Sequence, residues 1–144
     1  MNDDNKYQAD RERRRVTREQ LDDWLVLIVD DQLDNLLVAE TALKFHGVKT
    51  YRAANGIQAL RILEDIQPTL ILLDLSMPEM DGWEMFEVLK TRPEMQDIPV
   101  IALTAHVMQG DKERVLAAGF TGYISKPFSV AMIVEEIKNI LDNS

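Results

Sequence analysis

Cysteine is absent from the 144-residue chain, which excludes disulfides and thiolate metal sites. No apolar run approaches the ~20 residues needed to cross a bilayer. The N-terminus, Met1-Asn2-Asp3-Asp4-Asn5-Lys6, lacks the apolar segment of a secretory signal. A cytoplasmic protein is the expectation. Positive charge is scarce, with 16 Lys and Arg against 25 Asp and Glu and a formal net charge of −9. Such a chain repels phosphate backbones, so general nucleic-acid binding is not expected. Repeats and low-complexity segments are missing as well. What is present is 46% hydrophobic and 28% charged residues, an ordinary globular mixture. The length suits one domain with a proper core and is too short for two ordinary ones.

The few cations are unevenly placed: Arg11, Arg13, Arg14, Arg15 and Arg18 crowd the N-terminus. Residues 1–22 read as a polar extension, either a solvated tail or a docking patch for an acidic partner. Thr17 and Gln20 have the spacing of a capping box ahead of a short helix over about Arg18–Asp23. From Trp24 onward the pattern alternates. Strands are expected at Leu25–Val29, Lys49–Ala53, Leu70–Leu73, Val100–Leu103 and Tyr123–Ser125. Helices are expected at about Leu33–Phe45, after an Asn55 cap with Ile57, Leu60, Ile62 and Leu63 as the apolar stripe, and at about Trp83–Thr91, Gln109–Ala118 and Val130–Leu141. In the last of these Met132, Ile133, Ile137, Ile140 and Leu141 form the expected buried side. Gly47 and Gly119 end helices, and Pro68 bars helix before the third strand. Five βα units with near-continuous apolar strands predict a parallel α/β sheet covered on both faces and, with right-handed crossovers, doubly wound.

In such a sheet the C-terminal strand ends share one edge, where ligands bind. Asp30-Asp31 follow the first strand, Asp74 the third, Thr104 the fourth and Lys126 the fifth. Taken singly, each has an ordinary structural explanation: Asp30 or Asp31 could cap the next helix, Asp74 could be a turn residue, and Lys126 a surface lysine. Together they place three carboxylates, a hydroxyl and an ammonium in one cleft. Adjacent carboxylates call for a cation, and hard oxygen ligands suit Mg²⁺. Asp74 is then a candidate nucleophile toward a phosphoryl group, with Lys126 and Thr104 stabilising its oxygens.

Asp30-Asp31, Asp74, Met77-Pro78, Gly82, Thr104-Ala105 and Lys126-Pro127, in this order, resemble the receiver domain of two-component response regulators. The resemblance spans about Leu25–Leu141. It implies a flavodoxin-like fold with strand order 2-1-3-4-5 and five helices divided between the two faces. It further implies that Asp74 accepts phosphate from a sensor histidine kinase or histidine phosphotransferase. Asp30 or Asp31, Asp74 and the backbone carbonyl of Ser76 would hold Mg²⁺, and the Lys126-Pro127 bond would be cis. Phosphate would draw Thr104 inward and let Tyr123 turn, remodelling the face of helix four, strand five and helix five. Ser76 and His106 occupy positions that influence phosphoryl lifetime in the family. His106 reads otherwise as an exposed loop residue, and Trp83 as a packing residue.

The expected function is a phosphorylation-dependent switch that acts by partner binding or phosphorelay and catalyses only its own phosphorylation and dephosphorylation. A monomer or weak dimer is expected. Met1, and only three residues after the last helix, point to a stand-alone domain; a receiver from a hybrid sensor kinase would look similar. Two alternatives belong to other classes. A haloacid-dehalogenase-type phosphatase would carry a second Asp where Ser76 stands. A phosphorylation-independent adaptor would have lost part of the acidic pocket.

Overall fold

The apolar runs become strands because their side chains find cover on both sides. The computed structural model describes residues 23–105 and 110–143. Strand β1 (Leu25–Val29) is followed by α1 (Leu33–Phe45), β2 (Lys49–Ala53), α2 (Gly56–Ile62), β3 (Leu70–Asp74), α3 (Gly82–Lys90), β4 (Val100–Thr104), α4 (Asp111–Ala118), β5 (Gly122–Ser125) and α5 (Ile133–Asp142). The strands pair in parallel in the order β2-β1-β3-β4-β5. This is the doubly wound, flavodoxin-like topology that the sequence predicts.

The period of two along each strand divides the core. Leu27, Val29, Ile71, Leu73 and Ala102 pack with Ala59, Met85, Leu89 and Val115 of α2, α3 and α4. Val26, Ile28, Leu70, Leu72, Ile101 and Leu103 pack on the opposite face with Leu36 and Leu43 of α1 and Ile133 and Ile137 of α5. Each Val, Leu, Ile or Met among them contributes about 1.5–3 kcal/mol when fully buried. A one-residue slip of any strand would send its whole set to the wrong face, so the register is tightly specified. Among the described residues no helix is long and apolar enough to cross a membrane.

Several boundaries differ from the sequence expectation. α3 starts at Gly82, because Asp81 caps it by accepting the Glu84 N–H at 2.9 Å. α4 starts at Asp111, after Gly110 with φ 104°, far from helical values. α5 starts at Ile133 and not at Val130, and Met132, expected on its buried side, is 56% exposed ahead of the helix. In α2 the stripe is interrupted: Ile57 is exposed, while Leu63 is buried one residue past the helix end. Asn55 does cap α2, accepting the Gln58 N–H at 2.9 Å, and Gln58 Oε1 reaches back to the Ala54 N–H. Gly47 and Gly119 follow α1 and α4 with φ of 81° and 108°. The extension and its Thr17 capping box lie outside the described residues.

Candidate functional site

The sheet delivers its chemistry at the ends of the strands. Asp74 and Thr104 are the last residues of β3 and β4, one position beyond each apolar run, and both are buried. Asp30 follows β1 and has no exposed surface, while Asp31 beside it is exposed. Neither caps α1: the N-cap is Gln32, without a side-chain capping bond, and Asp30 Oδ1 accepts the Gln32 N–H at 2.9 Å. The aspartates therefore serve the cleft and the turn, not the helix.

Lys126 follows β5 and reaches across the cleft. Its Nζ lies 2.9 Å from Asp30 Oδ2 and 3.2 Å from Asp74 Oδ1. The backbone fixes this reach: the Lys126 N–H donates to the Thr104 carbonyl at 2.8 Å, and the Leu75 N–H to the Leu103 carbonyl at 3.1 Å. The Lys126-Pro127 bond is cis. Asp74 Oδ1 also accepts the Ser76 N–H at 3.0 Å, while Asp74 Oδ2 is buried with no hydrogen-bond donor among the described residues.

Burial pushes the Asp74 carboxyl up to about 7; the Ser76 N–H opposes this, the Asp30 charge adds to it, and Lys126 opposes it again. Burial also works against the Lys126 ammonium, but its contacts with Asp30 and Asp74 outweigh that and raise its pKa. Asp30, Asp31 and Asp74 each offer one oxygen, all within 4.8 Å of one another. Together with the donor-less Asp74 Oδ2, this all-oxygen set fits a hard divalent cation.

Gly82 is the positioning residue that spacing alone leaves unexplained. A Cβ there would overlap the Asp74 carbonyl oxygen and sit 2.8 Å from Leu75 Cα. The Gly82 N–H instead donates to the Leu75 carbonyl at 3.2 Å, pulling the loop after β3 onto the Asp74 backbone. Within that loop Glu79 takes φ 67°, left-handed for a residue with a side chain.

Tyr123 lies half-buried on β5, opposite Ala102 of β4, with Lys112 Nζ 5.6 Å from its ring centroid. Trp83 packs edge-on against Phe120 at 5.5 Å, and Arg114 lies 4.3 Å over its ring. Those contacts join α3 to α4, and no sequence spacing signals them. His106 lies outside the described residues.

Comparison with known proteins agrees with this geometry. Residues 26–138 match the profile of the response regulator receiver domain. The polar-differentiation response regulator DivK of Brucella anthropi is 40% identical over 119 residues, covering 83% of this chain and 97% of that protein. Among solved structures, the receiver domain of the Pseudomonas aeruginosa sensor histidine kinase PA1611, described with magnesium in its active-site cleft, superposes with a TM-score of 0.72 at 33% identity. The match covers 83% of this chain and 98% of that one. Vibrio cholerae chemotaxis response regulator CheY4 superposes with a TM-score of 0.76 at 26% identity, over 81% and 98% of the two chains. The chain belongs to the response regulator receiver domain family, the phosphorylation-dependent switches of two-component signalling.

Proposed function

We propose that Asp74 is the phosphoacceptor of this switch. The observation that carries the reading is the Lys126 ammonium lying between Asp30 and Asp74, with Asp74 Oδ2 buried and, among the described residues, without a donor. Oδ1 is held by Ser76 and Lys126, so Oδ2 is the oxygen left to an incoming group. In the transfer an Asp74 oxygen bonds to phosphorus as the P–N bond of the donor phosphohistidine breaks, and the imidazole leaves with that electron pair. The product is an aspartyl phosphate, and hydrolysis of its acyl–phosphate linkage resets the switch. Lys126 offsets negative charge gathering on the phosphoryl oxygens, and the Thr104 hydroxyl donates to one of them.

Asp30 or Asp31, Asp74 and the Ser76 carbonyl would hold Mg²⁺. Once bound, the cation neutralises charge on the transferred group. The family implies a histidine kinase or histidine phosphotransferase as donor. The finer reading is a cytoplasmic monomer or weak dimer that signals through a downstream protein, catalyses nothing but its own phosphorylation and dephosphorylation, and uses Tyr123 as the second switch residue.

Intact-mass measurement after incubation with Mg²⁺ and an acyl phosphate tests the assignment. One added phosphate on the wild type and none on Asp74→Asn is the expected outcome. A phosphate that persists on Asp74→Asn would move the acceptor elsewhere. No adduct on wild type would favour an adaptor.

A further inference from the structure

We propose that the basic segment Arg11–Arg18 of this chain seats in an acidic groove at the edge of the sheet opposite the Asp74 cleft. Two adjoining cavities of about 520 and 280 Å³ share Gln67, Glu94 and Ile98, so a continuous groove runs between the α2–β3 and α3–β4 connections. Its floor includes buried Pro68. Its rim carries Glu64, Asp65, Glu94 and Asp97, all exposed, and among the described residues none of the four is in an ion pair. An apolar floor under unpaired carboxylates suits guanidinium groups, whose planar forks bind carboxylates and whose faces are weakly hydrated.

The chain's own N-terminal segment matches that chemistry and enters at that place. Arg11–Arg18 carries five arginines against one carboxylate, Glu12. The Leu25 N–H donates to Thr69 Oγ1 at 2.9 Å, and the Thr69 N–H to the Leu25 carbonyl at 2.7 Å. Thr69 is itself a wall of the groove, so the chain enters β1 beside it. Arg18 stands seven positions before Leu25, so a fully extended tether would reach at most roughly 23 Å at ~3.3 Å per step. Individually weak surface pairs then add up, because the short tether holds the arginines at an effective concentration on the order of millimolar. Thr69 precedes β3 and Asp74 ends it, so the seated segment leaves the phosphorylation cleft clear.

The lack of cysteine permits a single nitroxide at Ala9→Cys on the full-length, ¹⁵N-labelled chain. At low salt the amide signals of Gln67, Glu94 and Asp97 are expected to lose more intensity than those of α1 and α5. They should recover in about 0.5 M NaCl, where the screening length is about 4 Å. The variant E64Q/D65N/E94Q/D97N should abolish the loss while acyl-phosphate labelling of the protein stays unchanged, which shows that the fold survives. Loss centred on Asp31 and Asp81, loss spread evenly, or loss indifferent to salt would overturn the proposal. So would equal loss on ¹⁵N chains mixed with spin-labelled chains lacking ¹⁵N, since the occupant would then be a second copy.

Discussion

Burial holds the Asp74 carboxyl up at about 7, so near neutral pH a proton and a cation compete for the same oxygens. Binding Mg²⁺ must displace that proton. Mg²⁺ affinity is therefore expected to rise by up to roughly tenfold per pH unit below about 7 and to level off above it. Titration of the metal by calorimetry at pH 5.5, 6.5 and 8 checks this, and an affinity that does not change with pH would contradict it. Lys126 acts on the same oxygen through charge. Because its Coulombic and hydrogen-bonding effects lower the Asp74 pKa, Lys126→Gln is expected to raise it further. The same variant should slow phosphorylation by roughly 10²-fold, the scale of losing one preorganised charge at a reacting group. Rates from an acyl phosphate at several pH values separate the two effects: the raised pKa moves the midpoint of the profile, and the lost charge lowers its plateau.

Elements differ in how firmly they are held, and a lightly buried one borders the switch. α4 buries only Val115, whereas α1 buries Leu36, Ala39, Ala42 and Leu43. Sideways contacts on α4 include Arg114 over Trp83, Lys112 near Tyr123, and the Lys90 ammonium donating to the Ala118 carbonyl at 3.2 Å. Cation–π contacts of this exposed kind contribute about 0.5–1 kcal/mol. Arg114→Ala is accordingly expected to speed amide exchange within 111–118 while leaving β3 unchanged, because local opening draws on few buried contacts there. Uniform acceleration across both elements would show that the contact supports the whole fold and not α4 alone. At the other end of the β3 loop, Gly82 tolerates no Cβ, since the atoms in the way are backbone. Gly82→Ala is expected to cost about 1–3 kcal/mol. It should lower phosphorylation more than the stability loss explains, because the displaced carbonyl belongs to Asp74. Urea melts alongside intact-mass labelling test that pairing of effects.

At the scale of the whole molecule, the fold was legible where both faces of a strand are covered. β1, β3 and β4 are unbroken apolar runs because α1 and α5 lie on one side and α2, α3 and α4 on the other. The functional strand ends were legible for the same reason, since Asp74 and Thr104 stand out as the first polar residues after such runs. Helix starts were less so. Met132 continues the apolar period of α5 yet points to solvent, and periodicity does not report where the first turn faces. The Lys126 bridge and the Gly82 contact depend on distances between elements far apart in the chain. One consequence of assembling the cleft extends to global stability. In the metal-free protein the native state holds the Asp74 proton up to about 7, while the unfolded chain releases it near 3.8. Between those values the native state binds more protons than the unfolded one, so this group makes stability fall as pH rises through the window. Lys126, whose pKa is raised above 10.5, stays protonated in both states there and drops out of the slope. Asp74→Asn removes the titration. In EDTA the variant is expected to exceed wild type by on the order of 2 kcal/mol at pH 8, with the gap closing toward pH 4. Urea unfolding of both proteins at the two ends of the range measures it. A gap that stays constant, or widens toward acid, would mean that burial does not hold the Asp74 proton, and that Lys126 already neutralises the carboxylate before any cation arrives.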